Sequence, residues 1–131
     1  MTTLAGRSVL VTGANRGMGR EYVRQLLDRG VTKVYAAARD PHSVDVSDPR
    51  VVPVALDVTD AASVAAAAKA APDVSVLINN AGIARGASVL APDTALLREE
   101  LETNLLGPLA MAAAFVDGIE ARSGAIVNVS S

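Results

Sequence analysis

Cysteine and tryptophan are absent from the 131 residues, and a single histidine supplies all the imidazole. No disulfide can form, and no thiolate metal site can be built. His42 lies in a polar Asp/Pro/Ser stretch with no second histidine to share a metal, so it reads as solvated. Aromatic residues are 2% of the chain, so the core must come from Ala, Val and Leu, which suit close packing of helices on a sheet. The net charge of −2 offers no basic field to a nucleic acid backbone. Residues 1–6 lack the apolar core of a signal peptide, and no apolar run is long enough to span a bilayer. The expectation is a cytoplasmic protein with neither membrane nor nucleic acid partners. Half the residues are hydrophobic and 20% are charged, which argues against disorder. The length suits one domain and is too short for two.

Short apolar runs alternate with helical patterns. Residues 8–12, 33–38, 51–56, 74–78 and 125–129 read as buried strands. Pro53 places the third at a sheet edge, because proline cannot donate to a ladder. Residues 20–29 carry Tyr22, Val23, Leu26 and Leu27 at helical spacing, with Gly30 as the stop. Residues 60–71 form an alanine-rich helix capped by Thr59 or Asp60. Residues 93–120 are helical with an interruption near Gly107-Pro108. Residues 40–50 replace a crossover helix with a loop. Strands alternating with helices predict an α/β fold: a doubly wound parallel sheet of Rossmann type, strand order 3-2-1-4-5.

After the first strand the chain runs Thr12-Gly13-Ala14-Asn15-Arg16-Gly17-Met18-Gly19. Glycine permits a tight turn and removes the Cβ that would keep a pyrophosphate away. The helix beginning near Gly17 aims its unpaired N–H groups and positive dipole end at the phosphates. The pattern lacks the lysine of a triphosphate P-loop, and its spacing differs from G-x-G-x-x-G. T-G-x-x-x-G-x-G resembles the short-chain dehydrogenase/reductase family.

The resemblance extends along the chain. Asn79-Asn80-Ala81-Gly82, directly after the fourth strand, is similar to the family's N-N-A-G. Asp57-Val58 after the third strand matches its adenine-binding pair, although a turn or cap role for Asp57 is the alternative. Thr103 to Pro108 (T-N-L-L-G-P) matches the region of the catalytic asparagine, Asn104. Here a local point also applies: Pro108 has no N–H, so the Asn104 carbonyl loses its α-helical partner, and the family holds a relay water at this place. Gly124 to Ser131 (G-A-I-V-N-V-S-S) resembles the fifth strand and the serine at its end. Ser131 aligns with the catalytic serine, and Ser130 is the fallback. The implied cofactor-binding residues are Gly13, Asn15, Arg16, Gly17, Met18, Gly19, Arg39, Asp57, Val58, Asn80, Ala81 and Gly82.

An acid at the end of strand two holds the ribose of NAD, and an arginine there accommodates the 2′-phosphate of NADP. Aligned to the family, Ala38 occupies the acidic position and Arg39 follows it. Arg16 is the other basic position of NADP-preferring members. Two guanidiniums can converge on one phosphate, so NADP(H) is expected over NAD(H). Asp40, one residue on, could still reach a hydroxyl.

In the family a tyrosine, followed four residues later by a lysine, lies downstream of the serine. The lysine lowers a phenol pKa that is normally ~10. This chain ends at Ser131, and its only tyrosines are Tyr22 and Tyr35. Tyr35 has an arginine four residues on, lies upstream and sits in a strand, so both tyrosines read as packing residues. The resemblance covers essentially the whole chain but only about half of a complete family domain. It implies the cofactor-binding portion of an oxidoreductase acting on a small carbonyl or secondary alcohol. Such a portion is expected to be inactive alone, and the complete protein to be a homo-oligomer. The alternative is a non-catalytic dinucleotide-binding or partner-binding protein. A methyltransferase of related fold ranks last, because it requires an acid at the end of strand two and gives no reason for N-N-A-G.

Overall fold

The computed structural model describes residues 3–84, 90 and 93–130. Five strands form one sheet: β1 (Ser8–Thr12), β2 (Lys33–Ala38), β3 (Val51–Ala55), β4 (Val76–Asn79) and β5 (Ala125–Asn128). Every pairing is parallel, and the order is β3-β2-β1-β4-β5, as the alternation of elements predicts. Pro53 sits on β3 opposite Ala36, at the sheet edge where its missing N–H costs no ladder bond.

Alternation along the strands builds two apolar layers. Leu10, Tyr35, Ala37 and Leu77 face α2 (Ala61–Ala70) and α4 (Gly107–Ala121), where they meet Val64, Ala67, Met111 and Phe115. Val9, Val11, Val34, Ala36, Val76 and Ile78 face α1 (Gly17–Asp28) through Val23 and Leu26. Leu10 and Leu77 are fully buried, and each such side chain contributes about 1.5–3 kcal/mol relative to exposure. With helices on both faces, the carboxyl ends of the strands are left as the natural rim for a ligand.

α1 begins at Gly17, where the reading of the glycine turn places it. Two elements differ from the sequence reading. β4 pairs over Val76–Asn79 rather than residues 74–78. The interruption near Gly107-Pro108 is no break. α3 (Thr94–Leu101) runs into a π-helical segment, Glu102–Leu106, and on into α4. The Gly107 N–H donates to the Glu102 carbonyl, five residues back. The wider turn places Pro108 in the opening turn of α4, where no N–H is required.

The stretch 40–50 is a loop as expected, with a short 3-10 turn, Pro41–Ser43, at its start. Val44 anchors it in the α1-side layer. Arg50 ties its far end down by donating to the Asp48 carboxylate and to the Leu27 carbonyl. At the opposite rim, β5 pairs with β4, and Val127 is 45% exposed. No helix among the described residues is long and apolar enough to cross a membrane.

Candidate functional site

A cleft of about 1000 Å3 opens at the carboxyl ends of β1, β2, β3 and β4. Its floor is the turn between β1 and α1. Gly13 and Gly17 adopt φ of +62° and +56°, a backbone that side-chain-bearing residues rarely take. A Cβ on Gly17 would meet nothing within 4 Å, so its backbone stands open to the cleft. Gly19 works differently. A Cβ there would lie 2.0 Å from the Gly13 carbonyl oxygen and 2.7 Å from Asn80 Nδ2. Its hydrogen lets α1 close onto the strand end.

The N-terminus of α1 carries no side-chain cap and no acid in its first turn. By contrast, Asp60 caps α2 by accepting from the Ala62 N–H, and Asp93 caps α3 by accepting from the Ala95 and Leu96 N–H groups. The first N–H groups of α1 are therefore left for an anion, with the dipole favouring negative charge.

Asn80 locks the turn from the side. The Thr12 hydroxyl accepts from the backbone N–H of Asn80 (2.9 Å) and of Ala81 (2.8 Å). Asn80 Nδ2 donates to the carbonyls of Thr12 and Gly13. Asn79, buried one residue earlier, donates to Asn128 Oδ1 at 2.9 Å and joins the ends of β4 and β5. The Asn104 carboxamide closes the far side. Its Oδ1 accepts from the Ile83 N–H and its Nδ2 donates to the Ile83 carbonyl, both at 2.8 Å.

The cleft gathers Gly13, Asn15, Arg16, Gly17, Arg39, Asp57, Val58, Asn80, Ala81 and Gly82. Met18 and Gly19 do not line it: Met18 is 57% exposed and Gly19 is packed beneath the turn. Asn104 stands one residue from the lining, behind Thr103. Ser130 is exposed just past β5, and Ser131 lies outside the described residues. Sequence reading missed one wall, built by Ala95, Arg98, Glu99, Glu102 and Thr103. Their spacing puts 95, 98, 99 and 102 on one helical face, which is the signal that could have marked them. It missed the latch at Thr12 as well.

Asp57 has the turn role as well as a place on the cleft. Its Oδ1 accepts from the Thr59 N–H and hydroxyl. These bonds, helped by the positive field of Arg39 and opposed by partial burial, hold its carboxyl below the usual carboxylate range. Asp40, the candidate competitor for a ribose hydroxyl, is engaged too. Its Oδ1 accepts from the His42 N–H at 3.0 Å and lies 3.3 Å from His42 Nδ1. Neither the Arg16 nor the Arg39 guanidinium forms a hydrogen bond or ion pair among the described residues, although Arg39 acts on Asp57 through its charge.

Tyr35 is no acid-base candidate. Burial and its bond to Asp73 (2.6 Å) both raise the phenol pKa, outweighing the opposing bond from Lys33. Asp73 precedes β4, at the amino ends of the strands and so away from the cleft. No cluster of His, Cys, Asp or Glu among the described residues could hold a metal.

The family described as short chain dehydrogenase matches residues 7–131. Short chain dehydrogenase tazN of Aspergillus terreus is 40% identical over 129 residues, covering 88% of this chain and 28% of that protein. A short chain dehydrogenase from Burkholderia cenocepacia, crystallised in complex with NADP, superposes with a TM-score of 0.94 at 44% identity. The match covers 99% of this chain and 55% of that one. A 3-ketoacyl-(acyl-carrier-protein) reductase from Brucella melitensis complexed with NADH gives 0.88 at 25% identity, over 98% of this chain and 58% of that one. The chain thus spans little more than half the length of these solved relatives, and less of the fungal one.

Proposed function

The chain belongs to the short-chain dehydrogenase family, and from that premise we propose that it is the cofactor-binding portion of an NADP(H)-dependent oxidoreductase. The observation that carries the cofactor choice is the presence of Arg16 and Arg39 on one cleft with the glycine turn, where Asp40 has one carboxylate oxygen turned to its own loop. Solved relatives of the same fold carry NADP or NADH, so these local residues must supply the discrimination.

The cleft suits the dinucleotide. Gly17 and the uncapped first turn of α1 would hold the diphosphate. Asp57 and Val58 would border the adenine, and Asn80, Ala81 and Gly82 the other ribose. Arg16 and Arg39 would take the 2′-phosphate. When bound, the nicotinamide supplies or accepts a hydride. Both polar atoms of the Asn104 side chain are engaged by Ile83, so its contribution would be the main-chain carbonyl, holding a water in the proton relay. Ser131 would polarise the substrate carbonyl. The substrate is a small carbonyl compound or secondary alcohol. A tyrosine and lysine in Tyr-x-x-x-Lys spacing would complete the chemistry, and the complete protein would be a homo-oligomer.

Two measurements test this. NADPH and NADH are titrated against the wild type and Arg39→Ala. Loss of charge-assisted bonds worth about 1.5–3 kcal/mol should weaken NADPH by roughly 10- to 100-fold and leave NADH unchanged. Equal losses for both cofactors would refute the NADP(H) assignment. The coding sequence beyond Ser131 is then read for Tyr-x-x-x-Lys. An immediate stop codon would favour a non-catalytic dinucleotide-binding protein.

A further inference from the structure

Asn15 and Ser43 join two loops that are 28 residues apart in sequence. Asn15 belongs to the glycine turn after β1, and Ser43 ends the 3-10 turn after β2. Asn15 Nδ2 donates to Ser43 Oγ at 3.0 Å, and the Ser43 hydroxyl donates onward to the Asp40 carbonyl at 2.6 Å. The donor inventory closes: the hydroxyl has one proton and uses it on Asp40, and its lone pair receives the amide. This relay starts at the residue before Arg16 and ends at the residue after Arg39.

The loop carrying Ser43 has a second anchor. Val44 is buried against the α1-side layer, so the chain on one side of Ser43 is held by packing. The other side, with Arg39 and Asp40, runs along the cleft. The Asn15 bond is the side-chain hydrogen bond between that stretch and the glycine turn, and it acts beside the backbone bond from the Ala14 N–H to the Ala37 carbonyl (3.0 Å) and the Arg20–Asp45 pair farther along the loop (4.0 Å). Asp40 is also turned toward the His42 N–H, which keeps a carboxylate engaged beside two cationic groups.

We propose that the Asn15–Ser43 hydrogen bond is a positioning element for cofactor choice. It holds the Arg39 loop to the Arg16 turn, so that both guanidiniums meet one phosphate monoester on the adenosine ribose. The inference rests on the NADP(H) reading above. Two cations grip one phosphate only when the loops bearing them keep a set separation. Without the bond, the ordering of the Arg39 loop must be met at the moment of binding. A cofactor with no 2′-phosphate makes no use of the paired cations and is indifferent to their spacing. Asn15 and Ser43 are positioning residues here, acting through the arginines.

The test uses the protein as its gene encodes it, with Ser43→Ala, Ser43→Thr and Arg39→Ala. Calorimetric titration gives Kd for NADPH and for NADH, and a thermal melt reports folding. Losing one hydrogen bond of about 1 kcal/mol should make Ser43→Ala bind NADPH roughly fivefold more weakly, with NADH unchanged and the cooperative melt retained but lowered by a few degrees. Ser43→Thr keeps the hydroxyl and should restore NADPH binding, which a purely structural role for the loop would not require. If Ser43→Ala weakens both cofactors alike, or neither, while Arg39→Ala still weakens NADPH alone, the positioning role is overturned and the NADP(H) reading stands. If Arg39→Ala is itself unselective, the reading falls and the inference goes with it.

Discussion

Asn104 and Ile83 are reciprocal partners: the side-chain amide of one and the backbone amide of the other exchange two hydrogen bonds of 2.8 Å. The pair fastens the chain after Asn80-Ala81-Gly82 to the π-helical segment, across 21 residues of sequence. A Cβ on Gly82 would come within 3.3 Å of Asn104 Oδ1, so the glycine leaves room for the exchange.

Asn104→Ala should therefore release the Ile83 backbone. The expected cost is about 1 kcal/mol, and the Ile83 amide should exchange its hydrogen roughly fivefold faster. Asn104→Asp retains an acceptor for the Ile83 N–H, so slow exchange should persist there although the donor is lost. Hydrogen exchange followed by NMR at that amide distinguishes the two variants. Unchanged exchange in Asn104→Ala would show that the pair does not form in solution.

Gly19 and Gly17 should respond to the same substitution for different reasons. In Gly19→Ala the new methyl would lie 2.0 Å from a backbone oxygen, and α1 must move away from β1. A loss of at least about 3 kcal/mol, or failure to fold, is expected. In Gly17→Ala the methyl meets no atom, and only the positive φ opposes it, at about 1–2 kcal/mol. Urea denaturation ranks the two. A Gly19→Ala protein more stable than Gly17→Ala would contradict the packing described.

Asp73 links acidity to stability at the amino ends of the strands. Partial burial raises its pKa, but bonds from Tyr35, Ser8 and Lys33 prevail and bring it to about 2, from an ordinary value of 3.8. A folded-state pKa below the unfolded one means stability that is present above the unfolded value and lost as pH falls through the folded one. Wild type should thus exceed Asp73→Asn in stability at pH 7, and the gap should narrow as pH drops from about 4 toward about 2. Urea midpoints across that range check it. A gap independent of pH would mean that the carboxylate charge has no part in holding Ser8, Lys33 and Tyr35 together.

Much of this arrangement is legible in the chain itself. Strands buried on both faces must be apolar throughout, so β1 and β2 stand out as uninterrupted runs and their limits are read to the residue. β4 shows why burial is an imperfect guide. Val74 and Ser75 are buried like the strand, yet ladder pairing with β1 starts at Val9 and Val76. Val74 instead bonds back to Ala71 in a turn. The π-helical segment is not legible either. Pro108 shows that an α-helical bond is missing but does not say whether the helix will break, kink or widen.

The sequence alone determined what depends on neighbours along the chain: apolar runs, helix stops, an edge strand marked by proline, and glycines where a backbone turns left-handed. It also placed Arg16 and Arg39 by their offsets from strand ends. Only the tertiary structure decided which distant groups meet. It bonded Asn15 to Ser43 and Asn104 to Ile83, swung a helical face carrying Arg98 and Glu102 over the cleft, and turned Asp40 toward His42. The reason is physical. Periodicity and turn chemistry constrain dihedral angles over a few residues, whereas the approach of two loops is set by how whole helices pack on the sheet, summed over many side chains.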